Sequence, residues 1–117
     1  MNLKNYNFFV FQGIHSQLIS TKVLTGSDKL VFSKIIDLFD DGFVGVFLVK
    51  ECTDNMNQVN VKMIIDKYSS VNVIVSETVK CGASVPFTLP RKSLGYEFQI
   101  YVSTTDQKKG SLIGYIQ

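Results

Sequence analysis

Short runs of alternating apolar and polar residues, separated by clusters of Gly, Asp, Asn and Ser, organise this chain. Val59, Val61, Met63 and Ile65 alternate with Asn60 and Lys62, the period of two that lines one face of a half-buried strand. Val71, Val73 and Val75 alternate with Asn72 and Ser76 in the next run, and residues 66–70 between the two predict a hairpin. Tyr96, Phe98, Ile100 and Val102 alternate with Glu97, Gln99 and Ser103. The turn-rich stretch 104–110 then leads into 112–116, which predicts a second, longer-looped hairpin with an exposed tip.

Turn signals divide the chain into about nine segments, 6–12, 18–24, 30–39, 43–50, 59–65, 71–79, 85–89, 96–103 and 112–116. Segment 30–39 reads two ways. Ser27 as an N-cap with Val31, Ile35, Leu38 and Phe39 on one stripe suits a helix, whereas a strand places Leu30, Phe32, Ile36 and Leu38 on one face. Composition decides for the strand: 14 Val, 10 Ile, 7 Thr, 9 Phe and 5 Tyr stand against one Ala and three Glu. Pro86 and Pro90 bracket Phe87, Thr88 and Leu89, which marks that run as an edge strand or an extended connector. The expected fold is all-β: a single domain over residues 1–117, an antiparallel β-sandwich of jelly-roll-like form with about 8–9 short strands.

Charge and candidate chemistry narrow the function by exclusion. The net charge of +2 is spread along the chain without a basic run, so nucleic acid is not an expected partner. No segment approaches the roughly 18 apolar residues of a membrane span, and the N-terminal apolar stretch is too short for a signal peptide. Neither a membrane partner nor secretion is expected, and synthesis is placed in the cytoplasm. His15 is the one imidazole available to activate a nucleophile, and Cys52 and Cys81 fall short of a zinc set. Both thiols are expected reduced, although they could bridge. The Asp40-Asp41-Gly42 and Asp54-to-Asn57 clusters lack the register of a calcium loop, and Lys108-Lys109-Gly110-Ser111 lacks the first Gly of a phosphate loop. With no Trp, neither a sugar-stacking platform nor a single-strand nucleic-acid face is evident. The expectation is a non-enzyme without catalytic residues, cofactor or metal.

An oversupply of apolar surface remains. Phe8 and Val10 would face one way while Phe9 and Phe11 face the other, and Phe43, Phe47 and Val49 oppose Val44, Val46 and Leu48. A two-layered β-domain covers one face of each strand, so the second set lies either under loops of its own chain or in contact with another chain. The candidate interface is Phe9, Phe11, Val44, Val46 and Leu48, with Arg91 and Lys92 as cations for an acidic partner.

The run Val85-Pro86-Phe87-Thr88-Leu89-Pro90-Arg91-Lys92-Ser93-Leu94-Gly95-Tyr96-Glu97-Phe98-Gln99-Ile100-Tyr101-Val102-Ser103 resembles a pattern of tailed-bacteriophage virion proteins. These neck, stabilisation and tail-associated β-sandwiches show a short apolar strand, a basic turn, an aromatic-rich alternating strand and a final strand. The resemblance covers about the last third of the chain, and the paired arginines usual in that turn appear here as Arg91-Lys92. Eleven Lys to one Arg also resembles the codon bias of an AT-rich genome. The resemblance implies a virion structural component, in capsid, neck or tail, that assembles as a homo-oligomer or with other virion proteins. The alternative function is a small β-domain that binds and inhibits a host protein.

Overall fold

The computed structural model describes residues 17–24, 28–40, 42–52, 58–104 and 110–116, with side chains described over 28–40, 42–50, 52, 58–104 and at 116. All regular structure among them is antiparallel strand: β1 (Gln17–Leu24), β2 (Lys29–Ile35), β3 (Val44–Cys52), β4 (Gln58–Lys67), β5 (Ser70–Lys80), β6 (Ser84–Thr88), β7 (Glu97–Thr104) and β8 (Gly110–Ile116). They form two four-stranded sheets, ordered β1-β8-β3-β6 and β2-β7-β4-β5. Segment 6–12 lies outside the described residues.

One core joins the two sheets. Phe47, Val49, Val85, Phe87 and Ile116 of the first pack with Val59, Val61, Met63, Ile65, Phe98, Ile100 and Val102 of the second, all below 5% exposed. Phe87 stacks on Phe98 across the interior with ring centroids 5.1 Å apart, and Phe32 meets Phe98 edge-on at 6.0 Å. Alternation along β4, β6 and β7 is what delivers these side chains to a single interior.

Four expectations need correction. Residues 96–103 and 112–116 do not form a hairpin, because β7 pairs with β2 and β4 while β8 pairs with β1 and β3 in the other sheet. An alternating run fixes which face of a strand is buried and leaves its partner open. Segment 30–39 is strand only to Ile35; Ile36 turns into the core and Leu38 and Phe39 lie exposed in the following loop. Val71 and Val73 do not share a buried face with Val75. A register shift opposite Met63 and Ile64 leaves Ile74 unpaired and reverses the strand, so Val71 and Val73 are 52% and 58% exposed while Val75 packs on the core. Cys52 and Cys81 are not free thiols but a disulfide, with Cα atoms 6.2 Å apart. It fastens the end of β3 to the turn after β5, where the Val49 N–H donates to the Ala83 carbonyl and the Gly82 N–H to the Val49 carbonyl.

The β4–β5 hairpin does form, through a tighter turn than residues 66–70. Tyr68 and Ser69 both take positive φ, 52° and 66°, the pair of left-handed residues that matches the twist of a two-residue hairpin. β6 is an edge strand, and the ladder explains its proline. The Leu89 N–H donates to Phe43 and the Val49 N–H to Ala83, so the hydrogen-bonded pairs fall on odd positions of β3. Pro86, opposite Val46, occupies a position whose nitrogen points away from the sheet, where no N–H is needed.

Candidate functional site

The outer surface of β3 carries the proposed contact residues. Phe47 and Val49 are fully buried and Phe43 nearly so; the intervening Val44 is 63% exposed, and Val46 and Leu48 are half-buried. The structure thus brings Val44, Val46 and Leu48 together on the side of the sheet away from the core. Register sets Pro86 of β6 opposite Val46, and Tyr115 of β8 opposite Leu48. Phe9 and Phe11 lie outside the described residues.

Arg91 and Lys92 occupy a turn closed by the Ser93 N–H on the Pro90 carbonyl at 3.1 Å, and both are exposed. This turn lies at the Val44 end of the sheet. The Leu89 N–H donates to Phe43, and the side chain of Arg91 comes within 3.6 Å of where a Cβ on Gly42 would stand. The neighbouring loop is held by backbone bonds in both directions, from the Ile36 N–H to Tyr96 and from the Gly95 N–H to Ile36, each 2.8 Å. Inside it Asp40, 2% exposed, is paired with Lys34 at 2.9 Å and accepts the Asp37 N–H. The loops are therefore fixed, and they hold Leu38, Phe39 and Leu94 out at 78%, 67% and 46% exposure. Sequence reading missed this apolar end because Leu38 and Phe39 continued a plausible strand.

The outer surface of the other sheet carries exposed Leu30, Val71 and Val73 beside a cluster of polar side chains that bond to one another. Asn60 donates to Ser103 at 3.2 Å and accepts from Thr78 at 2.7 Å. Lys62 pairs with Asp28 at 3.0 Å and lies 5.3 Å from the centre of the Tyr101 ring. Tyr101 donates to Gln99, which in turn donates to Glu97. An open depression of about 250 Å³ on this face is lined by Asp28, Asn60, Lys62, Ser76, Glu77 and Thr78. The sequence carried one trace of it, the polar Ser76 and Thr78 that alternate with Val75 and Val79 in β5. Among the described residues, no group of three His, Cys, Asp or Glu side chains stands close enough to hold a metal ion. No helix among them is long and apolar enough to cross a membrane.

No family model matches the chain. No curated protein matches it either. Among solved structures, the crystal structure of PirA is similar, with a TM-score of 0.56 over 86% of this chain and 93% of that one, at 12% identity. At that identity the likeness is one of fold.

Proposed function

We propose that this chain is a structural protein acting by protein contact, a bacteriophage virion component that assembles with copies of itself or with neighbouring virion proteins. The observation that carries this reading is the outward apolar row of exposed Val44 and half-buried Val46 and Leu48, on a sheet whose inner side already fills the core. A face of that kind gains by being covered, at about 25 cal/mol for each Å² of apolar area removed from water.

The strand order supports the same reading at the level of architecture. The two orders β1-β8-β3-β6 and β2-β7-β4-β5, in which successive strands alternate between sheets outside the β4–β5 hairpin, support reading the fold as a jelly-roll sandwich. Capsid proteins are among the users of that fold, an analogy of fold that carries less weight than the surface itself. The resemblance of residues 85–103 to phage virion proteins adds the source. The function is then non-enzymatic, and the site of action is the virion. Negative-stain microscopy of the purified chain tests the proposal: rings, tubes or other regular assemblies are expected, and a monodisperse small particle at every concentration would overturn it.

A further inference from the structure

We infer that the depression on the outer face of the β2-β7-β4-β5 sheet is a binding site for a small neutral saccharide, one sugar ring of a larger glycan. The inference is independent of the assembly proposed above, which uses the opposite sheet. Its basis is the charge and hydrogen-bonding character of the lining. Lys62 is already neutralised by Asp28 at 3.0 Å, so an anion would meet no net positive charge. A metal cation would meet the Lys62 ammonium and an Asn60 carbonyl oxygen already engaged by Thr78. A neutral polyol meets neither obstacle. Its hydroxyls donate to Asp28 and to the Thr78 hydroxyl oxygen, and accept from Lys62, from the remaining Asn60 N–H and from the Ser76 hydroxyl.

The site is also prepared. Asn60 is held from both sides by Ser103 and Thr78, and Lys62 is held between Asp28 and the Tyr101 ring, so little side-chain freedom is left to lose on binding. Size limits the ligand. A volume of about 250 Å³ lies just below the range of about 300–1,000 Å³ usual for ligand sites, which suits a single ring with its neighbours in solvent. An open, polar rim without deep apolar walls predicts weak affinity for one ring and useful binding only when copies are multiplied.

The full-length chain, screened on an array of immobilised mono- and oligosaccharides and then titrated by NMR with the best methyl glycoside, tests the inference. Amide shifts are expected at Asn60, Lys62, Ser76 and Thr78, and Lys62→Met should weaken binding at least tenfold with the far-ultraviolet circular dichroism unchanged. Val44→Ser, on the other sheet, should leave the monovalent affinity as it is, which separates this site from the assembly surface. Absence of any array signal would overturn the inference, as would shifts confined to another face or titration of the same amides by inorganic phosphate or Ca²⁺ alone.

Discussion

Asp66 faces Glu97 directly across the β4–β7 ladder, and its buried Oδ1 has no hydrogen-bond partner. Like charges in directly opposed positions oppose the pairing, and a buried unsatisfied acceptor adds its desolvation cost. Asp66→Asn is expected to raise stability by about 0.5–1 kcal/mol, read from the denaturation midpoint in urea; an unchanged or lowered midpoint would show that water already relieves the pair. Tyr68 and Ser69 present a second local conflict, since positive φ suits Asn and Gly far better than Tyr and Ser. Tyr68→Asn with Ser69→Gly should stabilise the hairpin by about 1 kcal/mol. Gly82 is the converse case: at φ 93° with no heavy atom within 4 Å of its would-be Cβ, Gly82→Ala should cost about 1–2 kcal/mol through backbone strain alone.

At the scale of the elements, strand identity was legible, and strand partnership only for the β4–β5 hairpin. Val59, Val61, Met63 and Ile65 alternate in sequence and are all buried, because period two maps directly onto the two faces of a strand. The same rule failed at Ile74, where one unpaired residue inverts the faces and turns Val71 and Val73 outward; nothing in a run of valines marks that residue. The 96–103 run was placed correctly as a strand and wrongly as the partner of the next, since loop length permits either a hairpin or a crossing to the other sheet. The disulfide was the larger surprise, for two cysteines 29 residues apart give no pairing signal until β3 and the β5–β6 turn meet. Closing that loop removes unfolded-state entropy worth about 3–4 kcal/mol. Cys52→Ser with Cys81→Ser should lower stability by that order, and reductant should have the same effect on the wild-type chain and none on the variant.

For the whole molecule, one outer surface bears Val44, Val46 and Leu48, and the other a bonded polar cluster of Asn60, Lys62, Tyr101 and Gln99 beside exposed Leu30, Val71 and Val73. The apolar candidates on β3 were legible because both faces of that strand are hydrophobic in sequence and only one can fill a core. The polar depression was not, since Asp28, Lys62 and Ser76 come from three separate segments that only the sheet brings together. Sedimentation velocity across a range of concentrations, comparing the wild-type chain with Val44→Ser/Leu48→Ser, tests the assembly claim most directly. A concentration-dependent oligomer is expected, which the double substitution shifts toward monomer while the strand spectrum is retained. A wild-type chain that sediments as a monomer throughout, indistinguishable from the variant, would contradict it.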